Sequence, residues 1–120
     1  MSLLESGENY LETILVLMQK NGSVRSIDIA EAMGFTKASV SRAMSILKKE
    51  DYIIMDPDGS IHLTKEGLKK ANAIYERHTT LTQFIHKILK VDLEIAEKDA
   101  CRIEHIISDE TFKGIKKLLK

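Results

Sequence analysis

The stretch FTKASVSRAMSILKKE, residues 35–50, decides the fold of this chain. Thr36 is a good helix N-cap, because its side-chain oxygen can accept a hydrogen bond from a free amide of the first turn. Apolar side chains recur at helical spacing and predict one buried face: Val40, Ala43, Met44, Ile46 and Leu47. Small or basic side chains remain for the outer face: Lys37, Ser39, Ser41, Arg42, Ser45 and Lys49. The pattern predicts a helix that packs by one side and presents a basic, hydroxyl-rich side.

The flanking sequence predicts a helix before this one and a β-hairpin after it. SIDIAEAM, residues 26–33, is expected to form a helix with Ser26 as its cap. Gly34 follows, where a tight turn between two helices often needs a residue that tolerates positive φ. YIIMDPDGSIHLT, residues 52–64, reads as two short strands around a turn at Asp56-Pro57-Asp58-Gly59. Helix, turn, helix and hairpin in this order predict a winged helix-turn-helix.

A basic, hydroxyl-rich helix face suits the major groove of DNA, where Ser, Thr, Lys and Arg meet phosphates and base edges. We therefore expect the following residues to contact DNA: Arg25, Ser26, Thr36, Lys37, Ser39, Ser41 and Arg42. On this helix alone, an ordinary solvated face is an equally good interpretation. The formal net charge is zero, so DNA binding would have to rely on local positive charge.

Composition limits the class of protein. The 120 residues are 43% hydrophobic and 30% charged, which is typical of one compact globular protein or two small coupled units. No apolar run reaches the roughly 20 residues that a membrane-spanning helix needs, and no signal peptide is recognisable at the start of the chain. Cys101 is the single cysteine, so an intrachain disulfide is excluded and a reducing cytoplasm is expected.

The remaining chain reads as helices. Residues 7–20 predict a first helix that carries Asn9 and Glu12 on one face. A long helix is expected from Thr64 to Leu89, and its apolar stripe contains these residues: Leu68, Ala71, Tyr75, His78, Leu81 or Thr82, Ile85 and Leu89. Asp92 is expected to cap a helix that runs to about Ile107, and Ser108 a last one over 109–119.

These elements predict a mainly α-helical fold with a small β-hairpin wing. Residues 1–64 would form the winged helix-turn-helix domain, and residues 65–120 a helical dimerisation and metal-binding domain. Two short amphipathic helices and the end of a long one are too few to close a core of their own. We therefore expect a homodimer built from residues 68–120.

The segment DACRIEH, residues 99–105, predicts a metal site. On a helix with about 100° per residue, four potential ligands share an arc of about 100°: Glu97, Cys101, Glu104 and His105. Packed against His78 and against Asn9 and Glu12, this arc would offer the mixed O, N and S donors that suit a divalent transition metal. The spacing fits equally well a buried cysteine, a capped histidine and two solvated carboxylates.

The motifs add a family resemblance. A winged helix followed by Arg77-His78, DACRIEH and Ser108–Glu110 resembles the diphtheria-toxin-repressor family, whose other branch is the manganese-transport regulators. The resemblance covers nearly the whole chain and implies a metal-activated repressor that binds operator DNA through residues 37–42. It implies that Cys101, Glu104 and His105 are ligands as in the iron branch, with His78 a ligand in both branches. Glu12 matches a carboxylate of the manganese branch.

The ligand set is a hybrid of the two branches. Asn9 stands where the iron branch has Met and the manganese branch Asp, and Cys101 replaces a Glu of the manganese branch. Glu97 stands in place of a His of the iron branch, and Thr82 in place of a Glu. We expect Fe(II) or Mn(II), with Zn(II) or Co(II) able to substitute, and a thiolate favours Fe(II), Co(II) or Zn(II) over Mn(II).

Other functions stay open on the sequence. One alternative is a metal-independent winged-helix regulator whose metal site is degraded, and another is a protein-interaction module. A metalloenzyme would need an open coordination position for an activated water. Neither an HExxH motif nor a glycine-rich phosphate loop occurs, so we expect a regulator and no enzymatic activity.

Overall fold

A computed structural model describes residues 5–119 of the chain. Within that range it has six α-helices: α1 (Glu5–Asn21), α2 (Ser26–Met33), α3 (Lys37–Lys49), α4 (Lys65–Gln83), α5 (Leu93–Ile103) and α6 (Asp109–Leu118). Two short strands, β1 (Ile53–Met55) and β2 (Ile61–Leu63), form an antiparallel hairpin. The mainly helical fold with a hairpin wing is confirmed. The chain divides into two compact units, the first ending at Asn72 and the second beginning at Ala73.

One apolar core holds the first unit together. Its buried side chains come from α1, the segment before α2, α2, α3, the hairpin and the start of α4: Tyr10, Leu11, Ile14, Leu15, Val24, Ile29, Ala30, Val40, Met44, Leu47, Ile53, Ile61 and Ala71. Val40, Met44 and Leu47 are buried as predicted. Ile46 was assigned wrongly, because its side chain is 55% exposed. It lies about 120° from Val40 around the helix, outside the buried stripe.

Caps and left-handed residues set the turns around α2 and α3. The Thr36 hydroxyl accepts a hydrogen bond from the Ser39 amide at 3.1 Å, as predicted. Gly34 has a φ of 70°, which confirms the tight turn between the two helices. The prediction that Ser26 caps α2 is wrong, since Ser26 is its first helical residue. The N-cap bond is supplied by Asp28, whose carboxylate accepts from the Arg25 amide at 2.9 Å.

The wing is the predicted hairpin. Ile54 of β1 faces His62 of β2 in the antiparallel pair. Gly59 closes the turn with a φ of 91°, and its amide donates to the Asp56 carbonyl at 2.9 Å. The Ile61 amide donates to the Val24 carbonyl at 2.8 Å, which attaches the hairpin to the segment before α2.

A glycine joins the wing to α4. A Cβ atom added at Gly67 would lie 1.9 Å from the Tyr52 carbonyl oxygen, which is far inside van der Waals contact. That oxygen cannot easily move, because it accepts a hydrogen bond from the Thr64 amide at 3.0 Å. The Thr64 hydroxyl in turn donates to the Asp51 carbonyl at 2.6 Å and accepts from the Gly67 amide at 3.0 Å. Only glycine fits this close approach of two backbones.

The second unit has its own small core. Leu81, Ile85, Ala96 and Ala100 are its buried side chains, and α4 continues into a π-helical turn, Phe84–Ile88. The predicted apolar stripe is only partly right, because three of its members are exposed: Leu68, Tyr75 and Leu89. In α6 Phe112 is buried, whereas Leu118, expected in an apolar stripe, is 63% exposed.

The end of α5 differs from the prediction. The helix stops at Ile103, four residues before the expected end. The Ile106 and Ile107 amides both donate to the Ile103 carbonyl, at 3.1 and 3.3 Å, and residues 104–107 form a turn. Ser108 then caps α6 as predicted, accepting from the Thr111 amide at 3.1 Å.

Among residues 5–119, none of the helices is both long enough and apolar enough to cross a membrane.

We predict that Gly67→Ala destabilises the protein by about 1–3 kcal/mol, because the added methyl group must displace backbone atoms. Gly114→Ala is the matched control, since Gly114 also lies in a helix and an added Cβ meets nothing within 4 Å. That control should leave stability unchanged or raise it by up to about 1 kcal/mol. Urea unfolding followed by circular dichroism measures both changes, and equal midpoints for Gly67→Ala and the native chain would contradict the steric argument.

Candidate metal centre and nucleic-acid interface

A buried cluster of polar side chains lies in the second unit around Glu104. Its Oε2 atom is 2.9 Å from Nδ1 of His78, and its Oε1 atom is 3.2 Å from Nε2 of His105. The side chains of Glu104 and His105 are 0% and 1% exposed, and that of His78 is 24% exposed. The structure thus brings together three of the predicted ligands, one from α4 and two from the turn after α5.

The donor set of this cluster fits a divalent metal. Oε1 of Glu104 is buried, and within residues 5–119 it accepts no hydrogen bond. A buried carboxylate oxygen without a hydrogen bond is costly, and a bound cation would compensate for it. If His78 donates Nδ1–H to Glu104, its Nε2 carries a lone pair that can bind a metal. Metal-binding histidines commonly donate their other ring N–H to a carboxylate in this way.

Cys101 and Glu97 lie on α5, N-terminal to the turn. Cys101 is in the last turn of that helix and is exposed, and Glu97 is exposed one turn earlier. The expectation that Glu97, Cys101, Glu104 and His105 share one helix is wrong for the last two, which follow the end of α5 at Ile103. Glu104 keeps helical backbone angles, φ −61° and ψ −25°, and its amide still donates to the Ala100 carbonyl at 2.9 Å. The backbone of the turn, and not the spacing of a helix, places His105 in the cluster.

The remaining predicted ligands belong to the first unit. Asn9 and Glu12 lie three residues apart on α1, and both are half-buried. The Asn9 carbonyl accepts a hydrogen bond from the Thr13 hydroxyl at 2.9 Å, within the helix.

Two residues near the cluster were not assigned a role on the sequence. Thr82 is buried, and its hydroxyl donates to the His78 carbonyl at 2.7 Å. Arg77 donates to backbone carbonyls of the turn that carries Glu104 and His105. On the sequence, Arg77 appears only as part of the motif Arg77-His78, and Thr82 only as a possible member of the apolar stripe and as a departure from the iron branch.

The outer face of α3 is exposed, as the DNA-binding prediction requires. Lys37, Ser39, Ser41 and Arg42 are all exposed, and no acidic residue lies within the helix. The Thr36 hydroxyl donates to the Ser39 hydroxyl at 3.0 Å, so these two side chains form one polar edge at the helix start. This end of α3 can offer both hydroxyl groups and positive charge to a phosphate or a base edge.

Basic and acidic residues are paired around the wing. The guanidinium of Arg25, which precedes α2, lies 4.0 Å from the Asp58 carboxylate, and Ser26 beside it is half-buried. Hydrogen bonds from the Ser60 backbone and side chain lower the pKa of Asp58, and the charge of Arg25 adds to that effect. His62 lies 2.8 Å from Asp56. The wing therefore carries two carboxylates, each beside a basic side chain.

Comparison with known proteins matches two consecutive segments of the chain. Residues 2–61 match the N-terminal DNA-binding domain of the iron-dependent repressors, and residues 64–120 match their metal-binding and dimerisation domain. The HTH-type transcriptional regulator MntR of Bacillus subtilis is 34% identical over 115 residues, which cover 96% of this chain and 80% of that protein. The family resemblance inferred from the motifs is confirmed.

Longer relatives match over part of their length. The diphtheria toxin repressor of Corynebacterium diphtheriae is 27% identical over 118 residues, covering 98% of this chain and 52% of that protein. The structure of the manganese regulator SloR superposes with a TM-score of 0.83 at 27% identity, covering 99% of this chain and 54% of that one. The chain thus spans about half the length of these two proteins. It belongs to the iron-dependent repressor family, whose members are metal-dependent, DNA-binding transcriptional regulators.

Proposed function

We propose that this protein is a metal-dependent transcriptional repressor that binds operator DNA as a homodimer and controls genes of metal homeostasis. The observation that carries the proposal is the buried carboxylate of Glu104 between His78 and His105. The match of residues 2–61 to a DNA-binding domain and of residues 64–120 to a metal-binding and dimerisation domain supports both halves of it.

We assign His78, Glu104 and His105 as metal ligands, with the Cys101 thiol as a further donor. Their imidazole, carboxylate and sulfur atoms form the mixed set that suits a divalent transition metal. When bound, Fe(II) or Mn(II) would compensate the negative charge of the buried carboxylate. Zn(II) or Co(II) could substitute for either ion. Asn9 and Glu12 of α1, and Glu97 of α5, are proposed as additional ligands on the strength of the sequence.

Residues around the cluster fix the ligands in position. Oε2 of Glu104 lies 2.9 Å from Nδ1 of His78, and Oε1 lies 3.2 Å from Nε2 of His105, so one carboxylate lies against both rings. The Thr82 hydroxyl bonds the His78 carbonyl and holds the helical turn on which that ligand stands. Ligands held in this way lose little conformational freedom on binding.

The exposed face of α3 is proposed as the DNA-reading surface. Lys37 and Arg42 would contact phosphate, and the hydroxyls of Thr36, Ser39 and Ser41 would contact phosphate or base edges. Arg25 and Ser26, at the start of α2, would join the phosphate contacts. Because the formal net charge is zero, the affinity has to come from these local groups.

Homodimer formation is supported by exposed apolar side chains of the second unit. The large ones in its described residues are Tyr75, Ile88, Leu89, Leu93, Ile95, Ile106 and Leu118. Exposed apolar surface of this extent favours association with a second copy. A dimer with two reading helices requires half-sites about 34 Å apart on one face of the DNA.

Metal dependence follows if the ion binds the DNA-competent conformation more tightly than the others. A ligand shifts a conformational equilibrium only by its differential affinity, and the apparent affinity for DNA then rises with the competent fraction. Participation of Asn9 or Glu12 would make α1, in the same unit as α3, part of that coupling. A thiol ligand must also stay reduced, which agrees with a cytoplasmic location.

We predict that Glu104→Gln weakens metal binding without unfolding the protein. Glutamine keeps the shape and can still bond His78, but it lacks the charge, so metal affinity should fall at least about tenfold, or ~1.4 kcal/mol. At 100 times its dissociation constant, Mn(II) should stabilise the native chain by about 2.7 kcal/mol and the variant far less. Without metal the variant should be as stable as the native chain or more so, since a neutral amide costs less to bury than a carboxylate with one oxygen that accepts no hydrogen bond from residues 5–119.

Thermal unfolding with and without added Mn(II), Fe(II) or Zn(II) measures these differences. Glu94→Gln is the matched control, because Glu94 is exposed at the start of α5. It should retain the full response. A native chain whose stability and DNA binding respond to none of these metals would favour the metal-independent regulator.

We predict that Arg42→Ala lowers DNA affinity about tenfold at low salt, with or without metal, because it removes one contact of the reading helix. Arg102→Ala removes the same charge from an exposed side chain of the second unit and serves as the control. Fluorescence anisotropy on a duplex selected from a random library by the metal-loaded protein measures both. Equal affinities for the two variants would tell against α3 as the DNA-reading helix.

A further inference from the structure

We infer that Arg77 is a positioning residue that holds the metal-binding turn, residues 104–107, in its ligand-presenting conformation. This inference rests on the proposed metal site and extends it to a residue that need not touch the ion. Arg77 lies directly before His78 on α4. Arg77 bonds the backbone carbonyl of Glu104, and His78 lies against the carboxylate of the same residue.

The Arg77 guanidinium binds both ends of the turn. Its Nη1 atom donates to the Glu104 carbonyl at 3.0 Å and to the Ile107 carbonyl at 2.9 Å. Its Nη2 atom donates to the Asp109 carboxylate in the first turn of α6. Its Cζ atom lies 5.3 Å from the centre of the Phe112 ring, and the side chain is only 20% exposed. One side chain thus connects the end of α5, the turn and the start of α6.

These bonds compensate for the early end of α5. A helix leaves its last carbonyls without amide partners, and a basic side chain near a helix C-terminus can satisfy them. Here Glu104 follows the last residue of α5. Arg77 donates hydrogen bonds to its carbonyl and to that of Ile107. The planar guanidinium can bond several acceptors in one fixed geometry, which the single ammonium of lysine cannot reproduce.

The turn needs this support because two proposed ligands lie on it. Amides of the turn donate to the Ala100 and Ile103 carbonyls of α5, and Arg77 bonds two carbonyls of the turn from outside. Metal sites tolerate little disorder of their ligands, so this outside support matters. The positive charge of Arg77 would by itself oppose a nearby cation. Its contacts with Asp109 and two carbonyl oxygens offset that charge, so we assign its effect to the conformation of the turn.

Two measurements test the role of Arg77, both on the full chain. Co(II) titration followed by absorbance gives the metal affinity, and amide hydrogen exchange of the metal-free protein reports the order of residues 104–107. In Arg77→Ala we expect Co(II) affinity to fall about 10- to 100-fold, as for other residues that orient metal ligands. Amides of the turn should exchange faster than in the native chain, and those of α1–α3 should not.

Arg77→Lys keeps the charge and should recover only part of the affinity and of the protection. Arg102→Ala, which removes an exposed arginine of α5 next to Cys101, should match the native chain in both measurements. If Arg77→Ala does not fold, Arg77→Lys carries the test, with an intermediate loss expected.

The inference would be overturned if Arg77→Ala bound Co(II) as tightly as the native chain does. If only Arg77→Lys folds, the same result in that variant would overturn it. So would a loss of affinity with unchanged exchange of the turn, or an equal loss in Arg102→Ala. A native chain that binds neither Co(II) nor Mn(II) would instead refute the proposed function, which separates the two failures.

Discussion

The burial of the Glu104 carboxylate is the constraint on which the second unit depends. A charged group leaves water only where other groups take over its solvation, and here two imidazoles lie against its two oxygens. One of its oxygens nevertheless accepts no hydrogen bond among residues 5–119. A buried oxygen left in this way costs stability that an apolar side chain would not, and the proposed metal site gives a reason for that cost.

The two proposed sites are built on different kinds of backbone. The DNA-reading face lies on α3, a regular helix whose first turn is capped by Thr36 and whose buried stripe fixes its rotation. The proposed metal ligands lie partly on the turn after α5, where the regular helix has ended. Such a turn needs contacts from outside, which Arg77 and His78 supply from α4. The reading face is thus ordered by a capped helix and its packing, and the turn by side chains of α4.

Local patterns predicted those parts of the structure that depend on local interactions. The N-caps at Thr36 and Ser108, the left-handed Gly34 and the hairpin turn could be recognised because neighbouring residues determine them. The end of α5 could not, because the carbonyls that close it are bonded by a residue 27 to 30 positions away. Helical periodicity also predicted more buried apolar side chains than the structure has. It identifies an apolar stripe on a helix but not the element that packs against that stripe. The motif named the proposed ligands, but only the fold brought His78, Glu104 and His105 together.

The paired charges of the wing have a consequence for how the protein would search DNA. Asp56 and Asp58 place negative charge on the hairpin, and Arg25 and His62 are partly engaged with them. With a formal net charge of zero, the chain has little long-range attraction for the phosphate backbone. Residence on unrelated sequences should therefore be short, which leaves more of the protein free to find its own sites.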